Sequence, residues 1–347
     1  MTITRADVAK LAGVSPAVVS YVINDGPRGV SADARARVEA AIETLGYRPN
    51  AVARALRKSS TQTIGLIVPN QTNEYFAELT EEIERQAFER DYLLLVGITH
   101  DELARERRYV ELFVDRRVDG LLVISGRAGE LIAHEIRHTP AVAVDRAAQI
   151  PSASDVYTDN RLGARQAVEH LQAHGLQVIG CIAGPRDILL STDRESAWRD
   201  QLQEAGQEAT SALVVSTPFT SAGGREGCSE LLDRQPIQQA LAHGQQVGIF
   251  VSSDAQAQGV YQACTERGLR IPDDIAVVSF DGSDVGAHTS PSLTSYRQPT
   301  DEIARVATQE LTRRIHDADS SPRTLRITGN LRIGASCGCP VRVAAAR

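Results

Sequence analysis

Polar residues recur in this chain directly after short apolar runs. Asn70 follows GLIVP, Asp145 follows AVAV, Asp254 follows IFVSS and Asp281 follows VVSF. Tyr75, Phe76, Trp198 and Phe219 lie near the same kind of junction, and Arg194 is expected to open a helix after the Ala183-Gly184-Pro185 loop. Carboxylates, a guanidinium and an amide fix the direction of hydrogen bonds, and ring faces cover apolar surface. Together they suit a polyhydroxylated or heterocyclic small molecule. Singly, each of these residues reads as a helix cap or a turn residue; their clustering points to a pocket.

Signatures of catalysis are missing. The chain has no GxGxxG, P-loop, GxSxG, HExxH or CxxC motif, and no nucleophile–base–orienter set is visible. No catalytic residue, no cofactor and no metal site is expected. His134 and His138 are spaced i,i+4, but no third ligand stands near them in sequence, so they read as a solvated helix face. Cys337-Gly338-Cys339 is too tightly spaced for a usual metal site and reads as a pair of ordinary free thiols.

The pocket residues need elements to hold them. From Ile64 onward, apolar runs of strand length (TIGLIV, LLLVGIT, GLLVIS, AVAV, QVIGCIAG, ALVVS, VGIFV, IAVVSFD) alternate with helical stretches. The helices are predicted over EYFAELTEEIERQAFERD and DELARERRYVELFVDRR, and near 161–174, 194–205, 223–233 and 255–267. This alternation predicts a doubly wound parallel α/β architecture. About nine strands exceed one ordinary sheet, so two similar lobes with a cleft between them are expected. Ligands in such sheets bind beyond the carboxyl ends of the strands.

The first sixty residues have a different texture. They carry nine basic and five acidic side chains, a net +4, whereas the rest carries 28 basic and 39 acidic groups. A basic head on an acidic body suggests an anionic partner for the head. Three short helices are predicted there. Thr4 and Asp7 make a capping-box pair ahead of Val8, Leu11 and Ala12; Ser15-Pro16 restarts the chain into PAVVSYVIN; Ser31 caps ADARARVEAAIETL, which stops at Gly46. These are the proportions of a helix-turn-helix. After Asn50, the segment AVARALRK is too short to be stable as an isolated helix.

At 347 residues and 42% hydrophobic content, the chain is sized for roughly two globular domains. No apolar run approaches the length of a membrane span, and the N-terminus lacks the apolar core of a signal peptide. Five scattered cysteines fit a reduced, cytoplasmic setting.

These residues resemble the LacI family of transcriptional regulators over nearly the whole chain. DVAKLAGVSPAVVSYVIN resembles its helix-turn-helix, VSADARARVEAAIETLGYRPN its third helix and turn, and NAVARAL its hinge helix. VPNQTNEYFAEL, RRVDGLLVI, FVSSDAQAQGVYQAC, IPDDIAVVSFDG, PSLTSYRQP and the terminal SCGC resemble its effector-binding core. The resemblance implies an all-α head (1–48), a hinge helix and linker (49–60) and a two-lobed, periplasmic-binding-protein-like core (61–340). The N-lobe would be about 61–160 plus 292–322, and the C-lobe about 161–291 plus 323–340.

It also implies a mechanism: a homodimeric repressor on a near-palindromic operator, with affinity controlled by a small molecule in the cleft. Ser15, Pro16, Ala17, Ser20 and Tyr21 match the groove-facing start of the recognition helix, and Asn24 a position near the phosphates. Tyr21 stands where many relatives carry Arg, so direct hydrogen-bonded base readout should be reduced. Leu56 matches the residue wedged into the minor groove, flanked by Asn50 and Ala53. The positions matching effector contacts are Asn70, Tyr75, Phe76, Asp145, Arg194, Phe219, Ser253, Asp281 and Gln298. Ser253 replaces an Asn common in sugar-binding relatives, and Ala197 replaces a common Gly. A sugar or sugar derivative is the leading effector class, and a purine or nucleoside or a protein co-repressor the alternative. A ligand-binding protein without a DNA role is the remote reading. The tail VRVAAAR has no leucine heptad, so a dimer is expected.

Overall fold

The computed structural model describes residues 3–24, 29–48, 60–125, 129, 133–136, 138–146, 150–317 and 319–340. Asn50, Ala53 and Leu56 lie outside the described residues. The chain separates into two compact units, residues 1–61 and 62–347.

The first unit contains α1 (Arg5–Ala12), α2 (Pro16–Asn24) and α3 (Ala32–Leu45). Their starts follow from local chemistry. The Thr4 N–H donates to the Asp7 carboxylate at 2.9 Å, the Ser15 hydroxyl accepts from the Val18 N–H at 3.4 Å, and Ser31 Oγ accepts from the Ala34 N–H at 3.3 Å. These side chains satisfy amides that have no partner inside the helix. Val8, Ala9 and Ala12 of α1, Val19 and Val22 of α2, and Val38 and Ala41 of α3 bury one small core at i,i+3 and i,i+4 spacing. The axes of α1 and α2 turn through 104°, within the range of a helix-turn-helix.

The second unit holds two six-stranded sheets. The first has the order β11-β5-β4-β3-β1-β2 and is parallel throughout. Its strands are β1 (Thr63–Val68), β2 (Leu93–Ile98), β3 (Gly120–Val123), β4 (Ala141–Val144), β5 (Ser154–Thr158) and β11 (Thr324–Ile327). The second has the order β12-β10-β9-β8-β6-β7. It comprises β6 (Ile179–Ala183), β7 (Val214–Ser216), β8 (Val247–Val251), β9 (Ile275–Asp281), β10 (Thr294–Arg297) and β12 (Asn330–Arg332). Only β12 runs antiparallel, against β10.

Helices cover both faces of each sheet, which is why β3, β4, β6, β8 and β9 are buried along their whole length and read as unbroken apolar runs. The first lobe uses α4 (Glu74–Phe88), α5 (Leu103–Asp115) and α12 (Thr300–His316). The second uses α6 (Asn160–Ala173), α7 (Leu189–Glu204), α8 (Ser221–Leu232), α9 (Gln235–Ala242), α10 (Asp254–Glu266) and the short α11 (Val285–His288).

The structure differs from the sequence expectations in several places. The expected 292–322 segment of the N-lobe begins too early, because Thr294 of β10 pairs with Val278 of β9 in the second sheet. The C-lobe segment expected from 323 likewise starts too early, because Thr324 of β11 pairs with Asp155 of β5 in the first. The chain therefore crosses between lobes near Gln298 and again between Ile327 and Asn330. These short strands are interrupted by polar and charged residues, so no apolar run marked them. Arg194 does not open a helix: α7 starts at Leu189 and carries Arg194 more than a turn inside. Trp198 is a core residue, fully buried, with its indole N–H donating to the Ile179 carbonyl. No single helix among the described residues is long and apolar enough to cross a membrane.

Candidate functional site

The carboxyl ends of both sheets converge on one narrow cavity of about 20 Å³. Tyr75, Phe76 and Asp145 line it from the first lobe, and Arg194, Phe219, Ser253 and Asp281 from the second. Gln298, at the crossover after β10, completes the wall, with Asn73, Arg146 and Leu190 beside these. Asn70 lies outside this wall; it lines an adjoining space that also reaches Phe76, Arg146 and Phe219.

A hydrogen-bonded run joins the two lobes across the cavity. The Tyr75 hydroxyl donates to Asp145 Oδ1 at 2.7 Å and lies 3.3 Å from Gln298 Oε1. Gln298 Nε2 donates to Asp281 Oδ1 at 2.9 Å, and that same oxygen stands 3.6 Å from Arg194 Nη1. Arg194 also donates through Nη1 to the Ser252 carbonyl at 2.6 Å and through Nε to Asn160 Oδ1 at 2.8 Å. Its guanidinium carbon sits 3.7 Å from the centre of the Phe280 ring.

Burial sets the protonation balance here. Asp281 is held well above the usual carboxylate range by desolvation, which the Arg194 charge only partly offsets. Asp145 is raised for the same first reason, against the Arg194 charge and the Tyr75 hydrogen bond. Burial also pushes the Tyr75 phenol well up, with the Asp145 charge adding to it. Both aspartates have left-handed backbone, φ 63° at Asp145 and 113° at Asp281. Non-glycine residues pay of order 1–3 kcal/mol for such positions, and they persist where surrounding structure over-determines them. Phe219 approaches the site over Gly184, where a Cβ would come within 2.1 Å of its ring. Any other residue at 184 would displace that aromatic wall.

Some expected site residues have local structural duties as well. Ser253 caps α10 by accepting from the Gln256 N–H at 3.2 Å. Asn70 accepts from the Asn73 N–H at 2.9 Å and shapes the turn into α4. Asp254 is saturated by the hydroxyls of Ser279, Ser295 and Ser283 and the Ser283 N–H, so it locks β9 to β10 rather than facing the cavity. Sequence reasoning missed Arg146 and Asn160. Arg146 directly follows Asp145; it is buried, pairs with Asp101 at 2.7 Å and lies 5.2 Å from the Phe76 ring centre. Its neighbour at the strand end was the available signal.

In the first unit, Ser15, Pro16 and Ala17 are exposed at the start of α2, and Ser20 and Tyr21 are half-buried. Tyr21 is not part of the small core. Asn24 is the last residue of α2. His134 and His138 fall in no metal-ligating group among the described residues; one such group does exist, formed by His170, His174, Cys337 and Cys339.

Comparison with known proteins gives this architecture its relatives. The model for bacterial regulatory proteins of the lacI family matches residues 4–50, and that for a periplasmic binding protein-like domain matches residues 168–337. The ribose operon repressor of Escherichia coli is 35% identical over 329 residues, covering 94% of this chain and 97% of that one. The Escherichia coli HTH-type transcriptional repressor PurR is 32% identical over 328 residues, covering 93% and 94%. The crystal structure of the Lac repressor dimer bound to operator and the anti-inducer ONPF is 25% identical with a TM-score of 0.84, covering 97% of this chain and 99% of that one. Similarity of this extent, with a helix-turn-helix unit followed by two doubly wound lobes, places the chain in the LacI family of bacterial transcriptional regulators, which are DNA-binding proteins and not enzymes.

Proposed function

We propose that this protein is a cytoplasmic repressor that binds a near-palindromic operator as a homodimer and responds to a sugar or sugar derivative held between its lobes. The observation that carries the effector reading is the buried run Asp145–Tyr75–Gln298–Asp281–Arg194. It offers carboxylates, an amide and a guanidinium in fixed directions beside the Phe76 and Phe219 rings, the mixture a hydroxyl-rich ligand with one apolar face requires. Because both lobes contribute, a ligand there biases how the lobes pack, and coupling to DNA affinity is reciprocal. A flat heterocycle between Phe76 and Phe219, which line the same cavity, is the second reading.

The dimer reading is supported by apolar side chains on and beside the edge strand β2. Phe88 is 75% exposed and Leu93 62%, with Val96 and Leu103 nearby in sequence. Apolar surface on a sheet edge calls for cover. In the DNA reading, Ser15, Pro16, Ala17, Ser20 and Tyr21 face the major groove, Asn24 approaches the phosphates, and Leu56, with Asn50 and Ala53, enters the minor groove.

Selection from a random duplex pool by the full-length protein at near-physiological salt tests this, since phosphate contacts alone dominate at low salt. A near-palindrome with a flexible central pyrimidine–purine step should be enriched. Sugars should then shift its affinity, and Leu56→Ala should weaken this operator more than random duplex. Failure to enrich any sequence, with and without a metabolite pool, would sink the reading.

A further inference from the structure

We propose that His170, His174, Cys337 and Cys339 bind one tetrahedral thiophilic metal ion, zinc in the first instance, which staples the C-terminal turn to the second lobe. Two of these residues stand at the end of α6 and two lie in a turn 167 residues further along the chain. Their four ligand atoms all fall within 4.8 Å of one another.

The spacing is that of a coordination shell. Zinc–nitrogen bonds of about 2.0–2.1 Å and zinc–sulfur bonds of about 2.3 Å at tetrahedral angles put neighbouring ligand atoms about 3.3–3.8 Å apart. Here His170 Nε2 lies 3.2 Å from Cys337 Sγ, 3.4 Å from His174 Nε2 and 3.6 Å from Cys339 Sγ, and His174 Nε2 lies 3.4 Å from Cys339 Sγ. An imidazole nitrogen carries one proton or one lone pair, so pairwise hydrogen bonding gives it one partner. Three neighbours converge on His170 Nε2, which a shared cation at the centre explains.

The residues are held for this role. His170 and His174 are i,i+4 neighbours on one helix face, with ring planes crossed at 79°. The cysteine turn is tied to the second sheet: the Ala335 and Ser336 N–H groups donate to the Ser292 carbonyl, and Ser336 Oγ donates to the Val277 carbonyl at 2.6 Å. Gly338, at φ +96°, reverses the backbone between the two cysteines, a conformation that a side chain would strain. Thr294 Oγ1 lies 3.1 Å from Cys337 Sγ, where an outer-shell donor to a thiolate belongs. Two thiolates with two imidazoles select zinc over hard cations, and four protein ligands leave no open position, so the ion is structural. It anchors the far end of α6, whose first residue, Asn160, accepts from Arg194 at the pocket.

The test is a cobalt(II) titration of untagged, metal-stripped, full-length protein in a non-thiol reductant. One cobalt per chain should bind with the intense visible absorption of tetrahedral geometry and thiolate charge transfer, and one equivalent of zinc should displace it. Cys339→Ser and His174→Ala should each weaken binding by roughly 100-fold or more, beyond the usual cost of losing an outer-shell partner. His243→Ala, on an exposed loop, should change nothing. Zinc binding weaker than about 1 μM, a pale octahedral cobalt spectrum of the unsubstituted chain, or a Cys337–Cys339 disulfide persisting in reductant would overturn the proposal.

Discussion

Two arginines face each other across the cleft, and their surroundings differ. Arg194, from the second lobe, is 2% exposed and is held by Ser252, Asn160, Asp281 and the Phe280 ring. Arg146, from the first, is 4% exposed, pairs with Asp101 and lies over the Phe76 ring, and its Nε has no hydrogen-bond partner among the described residues. The contrast extends beyond this pair. Every charged side chain with a buried, unpartnered atom among the described residues (Glu106, Glu135, Arg146, Asp155 and Arg314) belongs to the first lobe. A buried charge satisfied by its neighbours is scaffold, whereas a buried polar atom without a partner requires an explanation, and at the cleft a ligand supplies one. At the cleft, Arg194 thus belongs to a preorganised wall, while Arg146 keeps a buried donor without a partner among the described residues.

The largest expected effect tests the scaffold half. Arg194→Met leaves Asp281 buried without its counter-charge, and stability should fall by about 3–5 kcal/mol. Urea unfolding should show a smaller loss at pH 5 than at pH 8, because Asp281, already raised by burial, then takes up a proton. A loss below about 1 kcal/mol would place Arg194 outside the scaffold.

The next effect belongs to Glu106 in the first lobe. Burial pushes its carboxyl up to about 7, against a hydrogen bond from Ser125 at 2.9 Å. A folded-state value above the unfolded one means that its favourable contribution is complete below about pH 4.5 and is lost as pH rises through about 7. The shift is worth on the order of 3 kcal/mol. Glu106→Gln should flatten the stability profile between these limits. An unchanged slope in unfolding measurements at pH 5, 6, 7 and 8 would contradict the assignment.

The smallest effect on stability, and the sharpest on function, is expected at Arg146. Arg146→Met leaves uncompensated only Asp101, itself 38% exposed, so it should cost less stability than Arg194→Met yet weaken effector binding roughly 10- to 100-fold, the value of a hydrogen bond to a charged group. Calorimetry with the sugar that shifts operator affinity reads this directly. The comparison between lobes fails if Arg146→Met costs as much stability as Arg194→Met.

How much of the site could be read in advance depended on how local its causes were. Asp145 and Asp281 are visible because each ends an apolar run, and Tyr75 and Phe76 because they open the helix that follows one. Arg194 lines the cavity, but from inside α7, which begins earlier than its polar sequence suggests. Arg146 carries no sequence signal beyond its place after Asp145, and both residues of that strand end line the cavity. Nothing in the local spacing of Cys337 and Cys339 points to His170 and His174.

The sequence by itself determined the alternation of the apolar strands with helices, the caps that start α1, α2 and α3, and the break in texture between the basic head and the acidic core. These follow from hydrophobic period, capping chemistry and charge, which act over a few residues. Only the tertiary structure decided that β10 joins the second sheet and β11 the first, and that Gln298 bridges Tyr75 and Asp281. It also decided that two histidines of α6 meet two terminal cysteines. Pairings across such separations are selected by which edges and faces remain uncovered once the two sheets have formed, and that information is spread over the whole chain.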